Sequence, residues 1–157
     1  MSFFKSFVLA TAAAATPMAA ITAAPGDAAK PEKVQPIVKI VRELEQAGYA
    51  PFTELSMDDG AWEAEVYKDD VPYELHVDPK TGEILSEHRD DSEPRPPQDA
   101  KPLSEILQLL AKAGFDDIDD ISFERRYWEI ETYQKDGEHE IHVDPMTGEV
   151  VSDRLDD

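Results

Sequence analysis

Apolar residues recur along this chain at two different periods, and the periods alternate. Ile37, Ile40, Val41 and Leu44 sit at helical spacing, as do Leu103, Ile106, Leu107 and Leu110. Residues at i, i+3, i+4 and i+7 share one face, so each run predicts an amphipathic helix of about three turns. Pro36 and Pro102 stand where a helix begins and no N–H is needed. Gly48 and Gly114 stand where it would end in a left-handed turn. Downstream of each helix the period falls to two. Trp62, Ala64 and Val66 alternate with Glu63, Glu65 and Tyr67, and Trp128, Ile130 and Thr132 alternate with Glu129, Glu131 and Tyr133. That pattern predicts half-buried antiparallel strands with both tryptophans on the core side. Leu75 and Val77, or Ile141 and Val143, continue the apolar face on a return strand. Shorter strands are expected at 52–57 and 118–123, and last strands at 84–85 and 150–151.

The two series are copies of each other. Trp62, Glu63, Glu65, Tyr67, Glu74, His76, Val77, Asp78, Pro79, Thr81, Gly82 and Glu83 return 66 residues later, from Trp128 to Glu149. Residues 36–91 align without a gap on 102–157, with 22 of 56 positions identical. The fold class expected is α+β, in two tandem repeats. Each repeat is one helix packed on a three- to four-stranded antiparallel sheet. Residues 90–102 hold four prolines among charges, which predicts a stiff solvated linker merging with the end of the first repeat. Units this small bury little surface alone, so packing of one on the other is expected to help both.

The first 24 residues have a different character. Lys5 precedes an apolar run, FVLATAAAA, and then a small-residue stretch. That order predicts a signal peptide, cut after Ala23 or Ala24, with residues 25–35 as a flexible lead. The apolar run is too short for a membrane span. The chain has no cysteine. Disulfide staples, thiol chemistry and a lipid anchor on cysteine are therefore excluded. A released protein of a bacterial periplasm or medium is the expected product. Its formal charge is −20, spread over both repeats. Such a surface repels nucleic acid and anionic membrane and attracts basic proteins or cations.

Candidate chemistry gathers on the hairpins. Asp136-Gly137 reads as a two-residue turn, which would set Lys135 against Glu138. Glu131 is then expected to face His142, Glu129 to face Asp144, and Tyr133 to face Glu140. The first repeat would pair Glu65 with His76, Glu63 with Asp78, and Tyr67 with Glu74. Glu65, His76 and Asp78, with Glu131, His142 and Asp144, are thus the candidate ligands for a divalent cation, since imidazole and carboxylate suit such ions. The plainer reading is a solvated sheet face with cross-strand Glu–His pairs. No phosphate loop, nucleophile elbow or Ser-His-Asp set occurs, and small units offer little concave surface for catalysis. No catalytic residue and no cofactor is expected.

The ordered residues carry a resemblance. A helix ending in A-G-Y or A-G-F, then W-E-x-E, a hairpin, and E-[LI]-H-V-D-P-x-T-G-E-[IV] is similar to the PepSY domain, over both repeats. The D-x-x-T-G-E turn is the most specific part. The resemblance implies an exported module that binds other proteins and restrains peptidases, as in the propeptides of thermolysin-type enzymes. No His-Glu-x-x-His occurs here, so any such action would be on another chain. The expected role is protein binding with an exported protein or peptidase as partner; the alternative is an acidic binder of divalent cations. Partner identity and oligomeric state are open at this level.

Overall fold

The structure, a computed structural model, describes residues 34–155. The expected signal peptide, residues 25–33 of the lead and the last two residues lie outside that range. Its elements run in the order helix α1 (Ile37–Gln46), strands β1 (Phe52–Asp58), β2 (Ala61–Lys68), β3 (Val71–Val77) and β4 (Ile84–Arg89), helix α2 (Leu103–Ala113), and strands β5 (Ile118–Glu124), β6 (Tyr127–Gln134), β7 (Gly137–Val143) and β8 (Val150–Leu155).

Both helices form where the apolar spacing places them. Pro36 and Pro102 cap them at φ −57° and −53°. At the other end Gly48 (φ 91°) and Gly114 (φ 99°) turn the chain out. Tyr49 N–H then reaches back to the Leu44 carbonyl, and Phe115 N–H to Leu110, both at 3.0 Å. Those bonds satisfy carbonyls that a helix end leaves without partners.

The strands do not form two separate sheets of three or four strands. They make one antiparallel sheet of eight, ordered β4-β3-β2-β1-β5-β6-β7-β8. The join is β1 with β5, through Glu54↔Ser122, Leu55↔Ile121 and Ser56↔Asp120. The reason is the cost of an edge: β1 and β5 would each present a row of unpaired backbone groups if alone. Pairing them removes both edges and leaves only β4 and β8 outermost.

Both helices lie on the same face of this sheet. Ile40, Val41 and Leu44 from α1 and Ile106, Leu107 and Leu110 from α2 share one core with Leu55, Ile121, Trp62, Trp128, Leu75 and Ile141. The helices also meet each other, where Ser104 donates from its N–H and its hydroxyl to the Glu45 carboxylate at 3.1 and 2.5 Å. The proline-rich segment follows the body closely. Pro96 is buried, the Tyr67 hydroxyl donates to the Glu93 carbonyl at 2.9 Å, and Arg95 pairs with Asp70 at 2.9 Å.

Candidate functional site

With both helices on one side, neither helix covers the other side, and the proline-rich segment lies against it at Tyr67, whose hydroxyl meets Ser92 and Glu93 and whose ring lies under Arg95. Strand alternation fills that open face with the polar half of each strand. Two lines of directly facing residues cross six strands. One runs Glu74, Glu65, Glu54, Ser122, Glu129, His142. Beside it runs His76, Glu63, Ser56, Asp120, Glu131, Glu140. Each line is the other reversed with one half exchanged for the other. Most members are half-buried. Like charges facing each other across strands are destabilising, and the electrostatics record it. Partial burial, then Glu54, Asp90 and Glu93, push the Glu65 carboxyl up to about 7. Partial burial, then Glu54, Asp119 and Glu129, push Asp120 up to about 6. Glu54 itself is raised, by burial first and by Glu63 next.

The facing pairs differ from those expected from an Asp136-Gly137 turn. The central turn residues are Lys135 and Asp136, so Gln134 pairs with Gly137. Glu129 therefore faces His142, Glu131 faces Glu140 and Tyr133 faces Glu138. In the first half Glu63 faces His76, Glu65 faces Glu74 and Tyr67 faces Pro72. The physical cause is where each hairpin places its positive φ. Asp69 and Asp70 take 51° and 61° themselves, whereas Gly137 takes 143° just after the turn. A shift of pairing by two residues keeps every side chain on its predicted face but changes its neighbours.

Asp78 and Asp144 leave the candidate ligand set for a second reason: they build the next turn. The Asp78 carboxylate accepts from Lys80 N–H and Thr81 N–H at 2.7 and 3.0 Å. Asp144 does the same with Met146 and Thr147 at 2.7 and 3.1 Å. Those backbone bonds hold the Asp78 carboxyl below its ordinary range. Glu65 and Glu131 stand one pair away from the histidines. What the fold brings together instead is Glu63, Glu74 and His76, and again Glu129, Glu140 and His142, with their ligand atoms within 4.8 Å of one another. His76 Nε2 lies 3.5 Å from Glu63 and 3.4 Å from Glu74. His142 Nε2 lies 3.3 Å from both Glu129 and Glu140. These are the residues that could hold a cation. Glu63 and Glu129 were legible as hairpin neighbours, but only the correct turn sets them opposite the histidines.

The surroundings of the two triads are unequal. Arg154 pairs with Glu140, the Tyr127 ring stacks on His142 with centroids 6.3 Å apart, and Arg126 lies over Tyr127. The first half has His88, Ala61 and Gly60 at the matching positions. His139, which has no histidine counterpart, is engaged by Asp153 at 2.6 Å and Asp136 at 3.2 Å. The Asp153 bond, and to a lesser extent the Asp136 bond, raises the His139 pKa.

A family model described as peptidase propeptide and YPEB domain, of the PepSY type, matches residues 6–88 and 90–154. No curated protein matches the chain. Several solved structures are similar over most of its length. One, provisionally described as a lipoprotein of Clostridium difficile 630, is 14% identical, with a TM-score of 0.43 over 74% of this chain and 89% of its own. A protein of Bacteroides eggerthii DSM 20697, provisionally described as periplasmic, is 14% identical, with a TM-score of 0.29 over 78% and 88%. A protein of Bacteroides fragilis NCTC 9343 described as BLIP-like is 9% identical, with a TM-score of 0.29 over 74% and 84%.

Proposed function

The chain belongs to the PepSY family of peptidase propeptide and YPEB domains, and from that premise we propose that it is an exported binding module whose open sheet face docks a basic protein. In this reading residues 1–24 direct export, and residues 36–91 and 102–157 are two copies of one unit fused edge to edge. The observation that carries the reading is the open face itself. It is uncovered by either helix, and six of its eight strands are crossed by two lines rich in carboxylates that repel one another. A fold gains nothing in stability from that arrangement, whereas a cationic partner surface would relieve it and be steered toward it. A peptidase with a basic surface fits, since family members accompany peptidases; the role implied is modulation of a separate chain. Among the described residues no helix is long and apolar enough to cross a membrane.

The test is affinity capture from the native exported fraction at low salt, using the chain without residues 1–24. The expected outcome is a basic partner whose association slows steeply above ~0.15 M salt. Its binding should fall when Glu54, Glu65 and Asp120 are replaced together by Gln, Gln and Asn. Capture that is indifferent to those substitutions and to salt would refute docking through this face.

A further inference from the structure

The two halves carry the same tyrosine on the open face, and among the described residues the chain covers only one of them. Tyr67 and Tyr133 stand 66 residues apart, each in the pair next to the one that closes its hairpin. Tyr67 is 3% exposed and Tyr133 44%. The difference is the segment that follows β4. Its Glu93 carbonyl accepts from the Tyr67 hydroxyl at 2.9 Å, and Ser92 Oγ lies 3.0 Å from that hydroxyl. The Arg95 guanidinium lies over the ring, 4.4 Å from its centre, and pairs with Asp70 at 2.9 Å. An extended stretch with an arginine two residues after the bonded carbonyl thus closes the first-half tyrosine. The negative face of the ring attracts the cation, and the aspartate of the turn balances its charge.

The surface around Tyr133 is the same in outline and more acidic. Asp136 is the twin of Asp70 and is exposed. Where Pro72 faces Tyr67, Glu138 faces Tyr133. The charge of Glu138, then partial burial and a hydrogen bond to Glu138, then the charges of Asp119 and Glu131, raise the Tyr133 hydroxyl above its ordinary pKa. An aromatic face open to solvent and surrounded by carboxylates is complementary to a guanidinium, whose plane lies on a ring while its edge pairs with a carboxylate. We propose that Tyr133 anchors an arginine-bearing extended segment of a separate exported protein, as Arg95 and its neighbours cover Tyr67. Asp136 already reaches His139 at 3.2 Å, so Glu138 is the carboxylate that takes the guanidinium. The proposal rests on the docking of a basic protein at the open face and names one anchor within it.

The probe is the end-blocked peptide Ser-Glu-Pro-Arg-Pro-Pro, a copy of residues 92–97. It is titrated into the chain without residues 1–24 and followed by NMR of the tyrosine rings. A free peptide lacks the tether that Arg95 enjoys, so saturation is expected at a dissociation constant of the order of 1 mM. The Tyr133 ring signals should move and those of Tyr67 should stay, because its own segment occupies it. The same peptide with alanine in place of arginine should shift neither. Tyr133→Ala should weaken binding about tenfold. Glu138→Gln keeps the side-chain shape and should weaken it comparably, so that loss of binding is not confused with loss of fold. No movement of Tyr133 at about 10 mM peptide, movement that persists without the arginine, or binding indifferent to both substitutions would each overturn the anchor. None of these variants touches Glu54, Glu65 or Asp120, so the salt-dependent capture of a basic partner stands or falls separately.

Discussion

Glu65 illustrates what a residue's neighbours add to its identity. The alternation of β2 was enough to place it on the polar face, and the fold keeps it there. Its partner was not legible, because the partner depends on a turn conformation that Asp-Gly and Lys-Asp can share. It faces Glu74 on one side and Glu54 on the other. Its carboxyl is raised from 4.5 to about 7, by partial burial first and then by the charges of Glu54, Asp90 and Glu93. The folded protein therefore holds that proton more tightly than the unfolded chain does. The resulting stabilisation is fully present below about pH 4.5 and is lost as the pH rises through about 7. Glu65→Gln should consequently leave stability nearly unchanged at pH 4 and raise it at pH 8. Solvent screening of this partly exposed group limits the gain to the order of 1 kcal/mol. Urea unfolding of both proteins at the two pH values measures this. A variant less stable than the parent at pH 8 would show that Glu65 makes a favourable ionised contact instead.

At the scale of elements, the helices were legible down to their caps, since a proline start and a glycine end are local steric facts. The D-x-x-T-G-E turn was legible as a turn, but its packing was not, because packing lies between elements distant in sequence. Gly82 and Gly148 each sit at φ 76°, and each is pressed toward its own helix. A methyl group added at Gly82 would lie 3.0 Å from the Glu43 carboxylate, and one added at Gly148 would lie 2.5 Å from Leu109 Cδ1. Glycine there serves both the backbone sign and the close approach of sheet to helix. An L residue in the left-handed region costs about 1–2 kcal/mol. Gly82→Ala should therefore destabilise by about that amount. Gly148→Ala should destabilise by about 1 kcal/mol more, because a half-buried leucine must also move. Thermal melts of the two variants settle the order. Equal losses would mean that Leu109 swings aside freely.

For the molecule as a whole, the repeat was plain in the sequence and the single sheet was not. Nothing in the alternation of β1 or β5 says that its far edge will be paired by the other half. Both strands look like edge strands until the two halves are in place. The consequence is thermodynamic. Leu55 and Ile121 face each other across the join, and both are fully buried. They belong to the core cluster that also contains both helices. Units of this size are marginal alone, so a join that runs through the core should make unfolding one event. Heat or denaturant should then give a single transition with matching fluorescence and circular dichroism midpoints. Leu55→Ala and Ile121→Ala each leave a cavity at the seam and should lower that one transition by about 2–5 kcal/mol. Amide exchange read residue by residue would decide the matter. In Leu55→Ala, protection should fall in β6 and β7 as well as in β2 and β3. If only the first half lost protection, the halves would be independent folds that happen to touch, and the shared open face would not be a rigid platform.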